Sequence, residues 1–581
     1  MTTTTTTTST TTILGTEFIA RTIANNINSI SKVFGIVGVP ITPIAYALQK
    51  EGIEFYGFRN EQSCSYASSV AGYLSAKPSI CMTVSGPGMV HALAGVLNAM
   101  SNGWPMILLS SSISTNDIGK GAFQEAEQLK LSTCYCKKSF NVIDINQFPD
   151  ILKEAIETSV HGRPGPVYIQ LPTNVIHSKS VEIPTPMPMA NISVAKEPIE
   201  QPLIDSTIQL LKSSKKPLII GGKGASLARC EDQLGQFVSQ SKIPFLPSPM
   251  GKGLIADDSE YVVSAARSFA LKNADTILVL GARMNWMFNF GSSPTFSSNV
   301  KFIIIDIDAN ESKSNVNIVP TIGIQNDINQ FLLQLNQSWS NHNNNNNNNN
   351  GYQEWWSQLK PEIESKSKLL LQLLKQPQIN TTDYLTYHQV YNQLVCSKLF
   401  DAEQTIFVNE GANTMDIGRL CITHNRPRCR LDAGTLGTMG VGVGYAIAAA
   451  IVCPQQKVVC VQGDSAFGFS AMEVEVAKRY HLPIVFIVLN NNGIYEGLES
   501  MEDPKYHEST RSAALSLPPT SLSFDTHYEK IIEAFGCPGF YLDNLVDIDR
   551  ICQQITSNQV ELPCLLNIKI KPTGSKPKIV H

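Results

Sequence analysis

Asp464 and Asn491, a carboxylate and a carboxamide 27 residues apart, are the pair in this chain whose types and settings best suit metal chemistry. Asp464 lies in Gly-Asp-Ser, directly after the apolar run Lys457–Gln462; Asn491 is the middle residue of an Asn triplet that closes the run Ile484–Leu489 and leads into Gly-Ile-Tyr. Between them, SAMEVEVAKRY has helical spacing, and Ser470 with Glu473 has the spacing of a capping box, so the stretch reads as one βαβ unit with GDSAFG as a tight loop. Parallel strands joined by a right-handed crossover end at the same sheet edge, which sets the two side chains facing each other. Magnesium takes oxygen ligands at ~2.0–2.1 Å and is commonly held by one or two carboxylates plus the phosphates of a bound cofactor. Asp464 would supply charge, Asn491 a neutral oxygen and the Gly493 carbonyl a third ligand, while small Gly463 and Ser465 let a diphosphate approach a helix N-terminus. Gly-Asp-Ser by itself is a common turn, and an Asn run occurs elsewhere at 343–350. Both pieces at strand ends of one βαβ unit are what make a site.

The elements that must position these groups alternate along the whole chain. GTEFIARTIANNI reads as an amphipathic helix, VFGIVG as a buried strand, ITPIAYALQK as a helix, EFYGFR as a strand, NEQSCSYASSVAGYLSA as a helix and SICMTV as a strand before the loop SGPG. Such alternation predicts an α/β chain of parallel sheets with helices on both faces and ligand crevices at the carboxyl ends of the strands. Glu61 sits at one such end, opening a helix; an acid there ordinarily complements the helix dipole. Length predicts three or four domains. The boundaries read as a Thr-rich disordered tail over 1–13, a first domain over 14–183, a Pro-rich extended linker to about 198, a middle domain over 199–338, an Asn-rich low-complexity linker over 339–352 and a last domain over 375–571. PLIIGGKGA lacks the full GxGxxG pattern and predicts no nicotinamide site.

Composition excludes several function classes. The chain has 581 residues, 43% hydrophobic and 16% charged, with a net charge of −4 and no long basic run, which argues against nucleic acid and membrane-surface partners. The longest apolar run, Val441–Cys453, is Gly-broken and too short for a bilayer span of about 20 residues, so no membrane insertion is expected. Thirteen scattered cysteines without CxxC pairs or His clusters fit core positions in a reducing compartment.

With Gly-Asp-Ser, the 27-residue spacing and NNNGIY in place, the chain resembles the thiamine-diphosphate-dependent enzymes, Ser465 standing where their signature has a third-position Gly. Motif order and layout extend that resemblance over about residues 14–571, and imply three doubly wound parallel-sheet domains: pyrimidine-binding, middle and diphosphate-binding. The resemblance implies thiamine diphosphate and Mg²⁺ as cofactors. It gives Glu61 the task of bonding the pyrimidine ring nitrogen, so that the cofactor's own amine removes the thiazolium C2 proton. It places Gln124, in GAFQE, beside the reacting centre. It gives the Gly437 carbonyl a bond from the cofactor amine, and makes Met439 the prop that bends the cofactor, where a core Met is the plainer alternative. In the middle domain it implies ADP, before FAD, held by Arg163, Lys223, Arg283 and Asp306, each of which alone could be a surface charge. FGFSAMEVE, NNNGIYEGLE and LPPTSLSFDTHYE resemble the 2-hydroxyacyl-CoA lyases most, with oxalyl-CoA decarboxylases close behind and acetolactate synthases third. A carbon–carbon lyase acting on acyl-CoA in fatty acid alpha-oxidation is therefore expected. A thiamine-fold protein without catalysis is disfavoured because Glu61, Asp464 and Asn491 are all present. Relatives set the first domain of one subunit against the third of another, which implies a homodimer or homotetramer. They also imply a peroxisomal location, or a cytoplasmic one, as the final IVH is no SKL-like signal. Arg426, Arg428 and Arg430 in NRPRCR are candidates for the phosphates of coenzyme A, against the plainer reading of a solvated basic loop.

Overall fold

The computed structural model describes residues 12–179, 181–183, 186–192, 197–343, 352–378, 380, 384–495, 497, 504–508 and 510–572. Residues 1–194 with 447–453 form one compact unit, and residues 195–446 with 454–581 another. Residues 1–11 of the expected tail, and most of the Asn-rich linker, lie outside the described residues.

The first unit is built on a six-stranded sheet. Its strands are β1 (Val33–Gly35), β2 (Phe55–Gly57), β3 (Ser79–Thr83), β4 (Met106–Ser112), β5 (Ser139–Asn141) and β6 (Pro166–Pro172), in the order β2-β1-β3-β4-β6-β5, every pair parallel. Helix α1 (Glu61–Ser75) follows β2 and helix α2 (Pro87–Asn102) follows β3. A two-residue antiparallel pair joins Thr12–Ile13 to Val181–Glu182, so the expected tail is shortened: Ile13 has an apolar core to pack against.

The second unit carries two sheets. Strands β7 (Pro217–Gly221), β8 (Phe245–Pro247), β9 (Thr276–Leu280), β10 (Lys301–Asp306) and β11 (Ile322–Gln325) are all parallel in the order β8-β7-β9-β10-β11. Strands β12 (Thr405–Glu410), β13 (Arg430–Asp432), β14 (Lys457–Gly463), β15 (Ile484–Asn490), β16 (Gly539–Leu542) and β17 (Cys564–Lys569) form the last sheet, also parallel, in the order β13-β12-β14-β15-β17-β16. The helices along this part of the chain include α3 (Ala412–Cys421) after β12, α4 (Gly442–Val452) before β14, whose residues 447–452 count with the first unit, α5 (Asp464–Gly468) directly after β14, and α6 (Val474–Arg479) before β15. The uninterrupted runs TILVL, KFIIID and IVFIVL suit strands covered on both faces, as parallel sheets with flanking helices require.

Three expectations about elements are corrected. The linker does not begin at 339: a helix runs over Ile328–Asn343, and Trp339, 1% exposed, packs edge-on against Phe237. On the far side a helix over Gln353–Leu374 buries Trp355, whose indole donates to the Pro217 carbonyl at 3.0 Å. GDSAFG is not a loop either, because the chain turns into α5 at Asp464 itself. The Ser470 hydroxyl is buried and makes no cap bond, so the capping box does not form. Among the described residues no helix is long and apolar enough to cross a membrane, and all thirteen cysteines are free thiols.

Candidate active site

Near one edge of each sheet the strand order reverses, and open α/β sheets bind ligands at such a reversal, outside the carboxyl ends of the strands. The reversal lies between β1 and β3 in the first sheet, between β7 and β9 in the second and between β12 and β14 in the third. Asp464 follows β14 and Gly411 follows β12, one on each side of the third reversal.

Asp464 is 1% exposed. Its Oδ1 accepts from the Ser465 amide at 2.8 Å and its Oδ2 from the Gly493 amide at 3.2 Å. Burial pushes its carboxyl up to about 7, against the pull of these amides. The Asn491 carboxamide places one terminal atom 3.1 Å from Asp464 Oδ1 and 2.9 Å from the Gly493 carbonyl oxygen. With nitrogen there, the amide donates to both. With oxygen there, it faces the other two oxygens at 3.1 and 2.9 Å, close to the cis edge, about 3.0 Å, of an octahedron whose metal–oxygen distance is ~2.1 Å. The donor set therefore fits a hard dication that leaves other positions to phosphate oxygens. Asn492 makes this convergence by adopting a φ of 55°, held by its Oδ1 accepting from the Asp525 amide at 2.8 Å.

Sequence reasoning missed the other half of this cradle. Gly411, at φ 102°, lets α3 begin beside the Gly463 backbone: a Cβ on Gly411 would lie 3.3 Å from the Gly463 nitrogen. Two helix N-termini, those of α3 and α5, thus flank the same strand ends, the arrangement that favours a diphosphate. Asn413, 3% exposed in the first turn of α3, donates to the Tyr495 carbonyl at 3.2 Å and leaves its Oδ1 without a partner. The available signal was Gly411 directly after the strand-like run TIFVNE, with Asn413 two residues on.

In the first unit Glu61 opens α1 but does not cap it. Asn60 does so, its Oδ1 accepting from the Gln62 and Ser63 amides at 2.8 and 3.4 Å. The Glu61 carboxylate is thereby released from the helix end: Oε2 lies 3.3 Å from His91 Nδ1, and Oε1 lies 3.4 Å from where a Cβ on Gly88 would sit. Gln124, at φ 61°, is brought to the same loop, its Oε1 accepting from the Ser85 hydroxyl at 3.2 Å. It lies in a turn, not at a helix start; Glu125 holds that turn by accepting from the Gly119, Gly121 and Ala122 amides at 2.5, 2.9 and 3.1 Å.

The middle-sheet residues divide. Lys223 follows β7 and Arg283 follows β9, across the second reversal, and both reach the Thr435 hydroxyl, at 3.2 and 3.5 Å. Asp306 ends β10 and accepts from the Asp308 amide at 3.0 Å. Arg163 instead donates to the Met100 and Ser101 carbonyls at 3.2 and 3.1 Å, in the last turn of α2.

Gly437 is exposed at φ 62°, and Met439 is half-buried, not a core Met. The three-arginine site is corrected. Arg430 is 1% exposed on β13, paired with Asp432 at 3.3 Å and stacked on Phe407. Arg428 makes a two-pronged pair with Glu231 at 2.6 and 3.3 Å and donates to the Ser226 carbonyl. Only Arg426 of the three is exposed, so no shared phosphate-binding face exists.

Three family profiles match the chain: Thiamine pyrophosphate enzyme, N-terminal TPP binding domain over residues 14–131, the central domain over 204–335, and the C-terminal TPP binding domain over 410–568. The chain is 58% identical to 2-hydroxyacyl-CoA lyase 1 of Dictyostelium discoideum, over 98% of this chain and all of that protein. It is 38% identical to 2-hydroxyacyl-CoA lyase 1 of Homo sapiens, over 97% and 96% of the two chains. It is 36% identical to oxalyl-CoA decarboxylase of Escherichia coli K12, over 94% and 93%.

Proposed function

The chain belongs to the thiamine pyrophosphate enzyme family, and from that premise we propose that it cleaves a 2-hydroxyacyl-CoA between its first two carbons, giving formyl-CoA and an aldehyde one carbon shorter. It is a carbon–carbon lyase of the 2-hydroxyacyl-CoA lyase type. The observation that carries the site assignment is the convergence of Asp464, Asn491 and the Gly493 carbonyl at the strand-order reversal.

Thiamine diphosphate, when bound, supplies a nucleophilic carbon and an electron sink for breaking a carbon–carbon bond. Asp464, Asn491 and Gly493 would hold Mg²⁺ against its diphosphate, with Ser465 and the N-termini of α3 and α5 offering amides. Glu61 would hold a proton at the pyrimidine ring nitrogen, with His91 fixing the carboxylate. Gln124, set by Ser85 and by its turn, would offer its amide to the substrate's 2-hydroxyl or thioester oxygen. In the middle sheet we propose a nucleotide diphosphate, ADP before FAD, on Lys223, Arg283 and Asp306; calorimetry with each nucleotide tests this. We propose a peroxisomal location, before a cytoplasmic one, and imaging of a fluorescent fusion decides between them.

The full-length likeness to oxalyl-CoA decarboxylase keeps one second reading, since its reaction also yields formyl-CoA. Parallel incubation with a 2-hydroxy long-chain acyl-CoA, oxalyl-CoA and pyruvate, reading aldehyde, carbon dioxide and acetolactate, separates the readings. Aldehyde and formyl-CoA in equal amounts are expected; carbon dioxide from oxalyl-CoA alone would overturn the lyase.

A further inference from the structure

Glu410 ends β12, is fully buried, and is answered by N–H groups. The Gly440 amide donates to Oε1; the Gly442 amide and Gln462 Nε2 both donate to Oε2 at 2.7 Å. Taking a carboxylate out of water costs several kcal/mol, and burial pushes this one up to about 7. An apolar residue, like its buried strand neighbours Phe407 and Val408, would fill the position without that cost. What the carboxylate gives in return is a grip on the backbone that follows β13.

That backbone needs one. Gly434, Gly437 and Gly440 all have positive φ, at 64°, 62° and 85°, so within seven residues the chain has three positions of wide conformational freedom. Asp432 Oδ1 fixes its start by accepting from the Gly434 amide at 3.0 Å, and Glu410 fixes its end. A side chain on Gly442 would push this pair aside: a Cβ there would lie 2.7 Å from Glu410 Oε2 and 2.6 Å from Gln462 Nε2. Gln462 is two residues ahead of Asp464 on β14, so one carboxylate ties the glycine-rich stretch to the strand that presents the metal-binding acid.

We propose that Glu410 is a positioning residue: by holding Gly440, Gly442 and Gln462 together it sets the Gly437 carbonyl and the Met439 side chain in register with the diphosphate end of the cofactor. This rests on the function proposed above, which gives Gly437 and Met439 their roles.

The test uses the holoenzyme with thiamine diphosphate and Mg²⁺. Glu410→Gln keeps the shape but turns one acceptor into a donor facing an N–H. Hydrogen exchange in the peptide spanning residues 433–446 should then quicken about tenfold or more, and kcat should fall on the order of 10–100-fold, the scale of a displaced catalytic group, with KM for the acyl-CoA within about twofold. Should Glu410→Gln not fold, Gln462→Met removes only the side-chain donor and should give a smaller change of the same kind. Unaltered exchange at 433–446, or unaltered kcat, in the folded variants overturns the proposal. A wild-type enzyme inactive on all three substrates overturns the function reading instead, so the two failures are distinguishable.

Discussion

Asp464 ties acid–base behaviour to metal binding in a way that can be measured. Its folded carboxyl lies at about 7, above the ordinary 3.8, so the folded chain retains a proton between those values that the unfolded chain releases. Without metal, stability therefore falls as pH rises from about 4 to about 7, and Glu410 adds to the same trend. A dication takes the ionised form, so its affinity climbs through that window and levels off above it. Magnesium with thiamine diphosphate is expected to raise the melting temperature little at about pH 5.5 and fully at about pH 8. Asp464→Ala should abolish that increment and metal-dependent cofactor retention; unchanged affinity by calorimetry would remove the residue from the site. Glu61→Ala should still fold and bind cofactor, yet slow exchange of the bound cofactor's C2 proton by on the order of 10²–10⁴-fold, read by NMR. Arg428→Ala should leave KM for acyl-CoA unchanged and cost stability, about 1.5–3 kcal/mol in a denaturant melt, because its partner Glu231 is then left alone. The positions of Asp464 and Asn491 just past strand ends, and of Glu61 at a helix start, were readable because apolar runs and polar residue types pointed the same way. The arginines misled because spacing cannot show a partner 197 residues away, and nothing in TIFVNE shows that Glu410 is buried against amides from another stretch of the chain.

At the scale of elements, the parallel strands were legible from uninterrupted apolar runs, and the helices between them from their spacing. Sheet order was not. Nothing local says that β12 and β14 are neighbours with β13 outside them, yet that reversal brings the N-termini of α3 and α5 together. The cap at Ser470 failed for a related reason: the chain entered a helix six residues earlier, and a buried hydroxyl replaced the expected N-cap. At α1 the cap is Asn60, one residue before the acid. Asn60→Ala should cost about 0.5–2 kcal/mol by thermal or denaturant melting, and draw the Glu61 carboxylate back towards the exposed amides of the first turn. Slowed C2-proton exchange should accompany the lost stability; a variant that loses stability but exchanges normally would show that the cap only holds the helix.

For the whole molecule, Glu61 belongs to the first unit and Asp464 to the second. We propose a homodimer or homotetramer with closed symmetry and equivalent sites; light scattering under assay conditions should find no active monomer. The three-domain plan was readable because each stretch of alternation is broken by a composition change, but the true edges are set by indoles. Trp339 seats one helix in the core on one face of the middle sheet and Trp355 seats the next helix in the core on the other face, each held by its own contacts. A fluorescent protein or an affinity domain spliced in after the helix that ends at Asn343 and before the one that begins at Gln353 should therefore leave both indoles seated, giving a reporter that travels with the enzyme in living cells.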